Sequence, residues 1–153
     1  SAGDLAKTIE ARWLEVMGTQ HYRYVVMTGG EPLLQLDAPL IEALHQRHFE
    51  IAIETNGTIK IPNGIDWVCL SPKANTELLV KQADEIKLVV PQIEHQSIET
   101  VLHRFEGMDF RHRYLQPMDG PQLRENTAYA VELCQKHPLW RLSLQTHKMI
   151  GIQ

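Results

Sequence analysis

Five short polar clusters in this sequence carry side chains that could do chemistry, and each follows directly on an apolar run. Thr28-Gly29-Gly30-Glu31-Pro32 combines two residues without a Cβ, which let backbone come close to a ligand, with a carboxylate suited to a cation or a ribose diol. The motif lacks the Walker lysine and the dinucleotide glycine spacing, and its acid favours an ammonium-bearing ligand over a phosphate. Taken alone, such a glycine pair is more often a tight strand-to-helix corner than a site. Glu54 ends the run Ile51-Ala52-Ile53, where an ionised carboxylate needs a partner to offset its desolvation. Either a ligand supplies that partner or a lysine does, with Lys73 and Lys87 the candidates.

Ser71-Pro72-Lys73 sets a hydroxyl and an ammonium on a stiffened exit, suited to a carboxylate or to hydroxyls, although Lys73 alone reads equally as a solvated loop lysine. Gln116 and Asp119 flank a turn shaped by Pro117 and Gly120 and can present an amide and a carboxylate; an ordinary turn has the same composition. His147, beside Gln145, Thr146 and Lys148, could hold the edge of a heterocycle or move a proton, whereas a lone histidine is more often structural. The remaining histidines, His21, His45, His48, His95, His103, His112 and His137, lack ligand spacing and receive no role.

The elements that must position these clusters follow from hydrophobic periodicity. Leu5, Ile9, Trp13, Val16 and Met17 recur at helical spacing behind a capping Asp4, and Gly18 stops the helix. Tyr24-Val25-Val26-Met27 is a short, nearly continuous apolar run, the pattern of a strand buried on both faces. A helix follows Asp37; Ile51-Ala52-Ile53 and Trp67-Val68-Cys69-Leu70 read as strands, and Thr76 to Lys81 as a brief helical turn. Ile86 to Val90 makes a fourth strand, stopped by Pro91. Ile98, Val101, Leu102 and Phe105 define a helix; Arg113-Tyr114-Leu115 and Trp140 to Leu144 are further strands. Between them runs a helix through Thr127, Ala130, Val131 and Cys134, capped by Asn126 and ended by Pro138.

Strands alternating with helices imply an α/β fold with a parallel sheet and right-handed crossovers. Carboxyl ends of parallel strands share one rim, so the five clusters are expected around one cleft. The 153 residues read as a single domain, 1–153, without linker or repeat. With 15 basic and 19 acidic side chains the net charge is −4, which gives no long-range pull toward nucleic acid or anionic membrane. Two distant cysteines exclude a disulfide framework, and no signal or spanning segment is evident, so a reducing, cytoplasmic setting is expected.

In their order, Gly29-Gly30-Glu31-Pro32, Glu54-Thr55-Asn56-Gly57, Ser71-Pro72-Lys73, Gln116-Pro117 and the terminal Arg141 to Lys148 make the chain resemble the 7-carboxy-7-deazaguanine synthase family. These are radical S-adenosylmethionine enzymes of queuosine biosynthesis. The glycine-glycine-glutamate-proline element is common to that superfamily, and the terminal Gln145-Thr146-His147-Lys148 points to this member. The resemblance implies a parallel sheet curled into a partial, reduced β/α barrel. It implies that Gly29, Gly30 and Glu31 meet the amino group of S-adenosylmethionine, and Ser71 and Lys73 its ribose and carboxylate region, with Gln116 and Asp119 nearby. Thr28, Glu54 and His147 would hold a pterin. The implied reaction converts 6-carboxy-5,6,7,8-tetrahydropterin to 7-carboxy-7-deazaguanine with loss of ammonia. A 4Fe-4S cluster, Mg2+, an external reductant such as flavodoxin and a homodimer are implied with it.

One departure is large: the family holds its cluster on three cysteines of an N-terminal loop, which this sequence does not contain. Cys69 falls in a strand and Cys134 in a helix, so neither substitutes. The chain is therefore expected to be the larger, C-terminal part of such a core, without catalytic or metal-ligating residues of its own and unable to turn over alone. Two other readings stand beside this one: another radical S-adenosylmethionine enzyme, such as a glycyl-radical activase, and a non-catalytic domain that binds the cofactor without the cluster.

Overall fold

In the computed structural model, which describes residues 1–73, 76–91 and 97–152, six strands pair in the order in which they occur in the chain, and every pair is parallel. The elements are α1 (Ala2–Met17), β1 (Tyr24–Met27), a 3-10 turn at Pro32–Leu34, α2 (Ala38–His45), β2 (Glu50–Thr55), β3 (Trp67–Leu70), β4 (Gln82–Val90), α3 (Ile98–Glu106), β5 (Asp109–Pro117), α4 (Leu123–Lys136), β6 (Arg141–Leu142) and α5 (Thr146–Met149). Right-handed crossovers between successive neighbours put every connecting helix on the same side, the rule that generates β/α barrels. Here the sheet stays open, and irregular chain replaces a helix between β2 and β3.

Register shows which side chains meet those helices. Val25 and Met27 stand level with Ile51 and Ile53; Leu70, Ile86, Leu88, Leu115 and Leu142 continue the same face. Residues of α1 and α2, including Ala6, Ile41 and Leu44, pack over the β1–β2 half. Val101, Leu102 and Phe105 of α3, with Ala130 and Leu133 of α4, pack over the β4–β5 half. Burial of this one face supplies the main drive for folding, at ~25 cal/mol per Å² of apolar surface removed from water.

Several local expectations are corrected. β1 is covered on one face, not both: Val25 and Met27 pack against the helices, while Tyr24 and Val26 are exposed on the face that, among the described residues, carries no helix. Ser1, not Asp4, caps α1: its hydroxyl accepts from the Asp4 amide at 3.3 Å, and the Asp4 carboxylate reaches back to it. Asn126 lies inside α4, where its side chain donates to the Met118 carbonyl at 2.9 Å, so the helix starts a turn earlier, at Leu123. No helical turn forms over Thr76 to Lys81. β4 begins at Gln82 rather than Ile86, because Asp84 accepts the Val68 amide of the neighbouring strand at 2.9 Å. His95 lies outside the described residues. Among those described, no helix is long and apolar enough to cross a membrane.

Candidate functional site at the carboxyl ends of the strands

The chain leaves β1 through Gly29 and Gly30 at φ values of 89° and 25°, a left-handed path that glycine takes without a Cβ penalty. No atom lies within 4 Å of where a Cβ would stand on either residue, so the missing side chains leave open space beside exposed backbone. The corner is held by Glu31. One carboxylate oxygen accepts from the Leu33 amide at 3.1 Å and the Thr55 hydroxyl at 2.8 Å, and the other accepts from the Asn56 amide at 2.8 Å. The buried Thr55 hydroxyl in turn accepts from Gly57 at 3.1 Å. Glu31 thus locks the exit of β1 to the exit of β2, a role that motif reading alone did not give it.

Between the exits of β1, β2 and β3 lies a cleft of ≈ 210 Å³, lined by Thr28, Gly29, Gly30, Glu54, Ser71 and Lys73 together with Thr55 and Asn56. Six of the ten singled-out residues therefore meet in one place. Glu31 lines the adjoining recess instead. Asp119 lines a second cleft of ≈ 310 Å³ between β5, α4 and α5, with Gln145 and Lys148. The hydrogen bond from Lys148, helped by the Gly120 amide, holds the Asp119 carboxyl below the usual carboxylate range. Gln116, half-buried on β5, and His147, exposed on α5, line neither cleft. The expected single cleft is thus divided. Strands stand about 4.8 Å apart, so the exits of β2 and β5, three strands apart, are separated by about 14 Å.

Glu54 resolves the choice left open between its lysines. Its Oε1 accepts from Lys87 Nζ at 2.6 Å. Lys87 belongs to a set of residues on the sheet face turned away from the helices. Across that face Glu54, Cys69, Glu85 and His112 stand level, and Lys87, Tyr114 and Arg141 form the next row. Trp67 stacks on His112 with ring centroids 5.9 Å apart. Glu85, His112 and Tyr114 received no role from sequence reasoning, and Lys87 only that of one of two candidate partners for Glu54. The usable signal was the alternation of Glu85 and Lys87 with Ile86, Leu88 and Val90, since a strand covered on both faces would not carry charges at every second position.

The thiols do not fit an iron-sulfur cluster. Cys69 is buried in β3, where desolvation and a hydrogen bond with Glu85 push its pKa far up; Cys134 is raised by burial on α4, and both are free. A cluster ligand must be a thiolate, which these surroundings disfavour. Among the described residues no group of three or more histidines, cysteines and acids is placed to hold a metal ion.

This geometry can be set against known proteins. The chain is 54% identical to 7-carboxy-7-deazaguanine synthase of Bradyrhizobium diazoefficiens over 153 residues, all of this chain and 69% of that protein. It is 51% identical to the synthase of the same name from Caulobacter vibrioides over 152 residues, again 69% of that protein. The chain belongs to the 7-carboxy-7-deazaguanine synthase family. No protein-family model matches it. The crystal structure of QueE from Escherichia coli superposes on 92% of this chain and 63% of its own, with a TM-score of 0.65 at 30% identity. The family is one of enzymes, as the motifs imply, and the synthase fold accounts for the open parallel sheet with its helices on one side.

Proposed function

We propose that this chain forms the cofactor and substrate rim of a 7-carboxy-7-deazaguanine synthase. The reaction converts 6-carboxy-5,6,7,8-tetrahydropterin to 7-carboxy-7-deazaguanine with loss of ammonia, in queuosine biosynthesis. The observation that carries this reading is the cleft in which glycine backbone, a carboxylate, a hydroxyl and an ammonium converge at the ends of three strands. S-adenosylmethionine, when bound, supplies the hydrogen-abstracting chemistry. The residues here fit its polar end: unhindered backbone at Gly29 and Gly30 faces an ammonium, while Ser71 and Lys73 offer a hydroxyl and a positive charge to ribose and carboxylate. An elongated ligand can reach from this cleft toward Gln116 and Asp119 along the rim.

Thr28 and Glu54 are assigned to the pterin, with His147 approaching from α5. The 2-amino group and neighbouring ring N–H of a pterin form a donor edge, and the second oxygen of Glu54, which accepts no hydrogen bond among the described residues, is placed to accept from it. These residues bind and orient the ligands, and the chain's own thiols offer no attachment for the 4Fe-4S cluster. Mg2+, a reductant such as flavodoxin, a homodimer and a cytoplasmic location accompany this reading as the family's implied setting. Nothing favours a glycyl-radical activase over the synthase, whose relatives match along the whole chain.

The test is anaerobic reconstitution of the full-length gene product with iron and sulfide, followed by product analysis with the carboxypterin. The expected result is 7-carboxy-7-deazaguanine and ammonia, and Glu54→Ala weakens pterin binding without loss of S-adenosylmethionine binding. A preparation with the full cluster spectrum that yields neither product overturns the assignment.

A further inference from the structure

Glu54 is the pterin acceptor in the reading above, and the present inference rests on that reading. A carboxylate at a strand end can turn about its last two bonds, so accepting from a donor edge requires that something hold it. Lys87 sits two strands away, on β4. Neighbouring strands are about 4.8 Å apart, so the lysine, the glutamate and the bond between them together bridge about 10 Å laterally. The residue in between, Cys69, stands level with Glu54 and Glu85, and its small buried side chain leaves the path open. The bond that results is 2.6 Å long, from a lysine whose side chain is only 18% exposed. Burial opposes the ammonium, but the Glu54 hydrogen bond together with the charges of Glu54 and Glu85 outweighs it, and the lysine's pKa is raised.

We propose that Lys87 is a positioning residue for substrate recognition: it anchors Oε1 of Glu54 so that the ionised carboxylate presents its other oxygen to the donor edge of the pterin. Lys87 does not line the cleft and touches no substrate atom in this arrangement. Its side chain acts through Glu54 alone. The bridge also explains why a charge occurs in the middle of an otherwise apolar strand run, Ile86 to Val90, on the face without helices.

The experiment uses the full-length protein and pterin-6-carboxylate, an oxidised and stable analogue, in calorimetric titrations, with KM and kcat for the carboxytetrahydropterin measured alongside. Lys87→Met keeps the length and apolar stem and removes the charge. It is expected to weaken binding of the analogue about ten- to a hundredfold, the range for a hydrogen bond to a charged group, and to raise KM more than it lowers kcat. Lys87→Arg, which restores a cation, is expected to recover part of the loss.

Because Lys87 acts through Glu54, the double variant should bind the analogue no more weakly than Glu54→Ala alone. Additive losses would mean that Lys87 contacts the ligand itself, and would overturn the proposal. Unchanged affinity in Lys87→Met beside weakened affinity in Glu54→Ala would overturn it while leaving the function intact; unchanged affinity in both would overturn the functional reading. If Lys87→Met does not fold, Lys87→Gln carries the same comparison. S-adenosylmethionine affinity, expected to be unaltered in every variant, separates positioning from general damage to the rim.

Discussion

Glu31 makes a quantitative prediction because the structure specifies what its carboxylate does. Three donors converge on it from two strand exits, the amides of Leu33 and Asn56 and the hydroxyl of Thr55. A hydrogen bond to a charged group is worth about 1.5–3 kcal/mol, and the lower figure or less applies because the site is only partly buried. At about 1 kcal/mol each, Glu31→Ala should lose about 3 kcal/mol of stability. For a chain of this size that lowers the unfolding midpoint by about 6–12 °C. Glu31→Gln keeps one acceptor oxygen but turns an amide N–H2 toward either the Oε1 or the Oε2 donors, so about half the loss is expected. Thermal and urea unfolding of the full-length protein, in the absence of S-adenosylmethionine, reads the effect directly. Coupling to Thr55 is tested by a cycle with Thr55→Val, whose interaction energy should fall within about 0.5–3 kcal/mol. If Glu31→Ala unfolds within about 1 °C of the parent while losing cofactor affinity, Glu31 is a ligand residue and the latch is wrong.

Gly57, at φ 82°, closes the β2 exit with no room to spare: a Cβ there would stand 2.5 Å from Leu70 Cδ1 and 3.1 Å from Leu78 Cδ2. Gly57→Ala combines left-handed strain of about 1–2 kcal/mol with a core displacement of similar size, and a drop of about 3 kcal/mol in urea unfolding is expected. The acid limb of stability offers another check. Burial works against ionised Asp66, but the Ile51 amide at 2.8 Å and His45 at 3.0 Å outweigh it and hold the carboxyl below its usual range. A lowered native pKa contributes stability that is present above the unfolded value near 4 and lost as pH falls below it. Asp66→Asn should therefore flatten the decline in unfolding midpoint over that acid window, and an unchanged slope would count against the assignment.

The parts of the fold that could be read from sequence are those where one physical signal acts alone. β1, β2 and β3 are short apolar runs with polar exits, and α3 carries its apolar residues at Ile98, Val101, Leu102 and Phe105 without interruption. Failures occur where a side chain bonds to something distant in sequence. Asn126 looked like a helix cap because asparagine prefers that position, yet its amide closes onto Met118, eight residues back. The first half of β4 is polar, so its hydrophobic signal begins only at Ile86; Asp84 joins the strand through the Val68 amide instead. The rim residues were legible because they sit where apolar runs stop, but their division between two clefts depends on the number of intervening strands, which no local pattern contains.

Lys87 is one of two candidate partners of Glu54 in the sequence, and only the sheet decides between them. Choosing between Lys73 and Lys87 as the partner of Glu54 required the register, because Lys73 is nearer along the chain while Lys87 is opposite in space. The sequential strand order places α2, α3 and α4 over one face and leaves the other, among the described residues, without a helix. In closed barrels that inner face is filled by branched apolar side chains. Here it bears Glu54, Glu85, Lys87, His112 and Tyr114, a set whose charges would cost several kcal/mol each if buried without partners. A sheet that keeps charges on its inner face must meet them with each other, with water or with a polar ligand. The Glu54–Lys87 pair does the first and leaves one carboxylate oxygen for the last, so the binding surface extends inward from the rim onto the sheet itself.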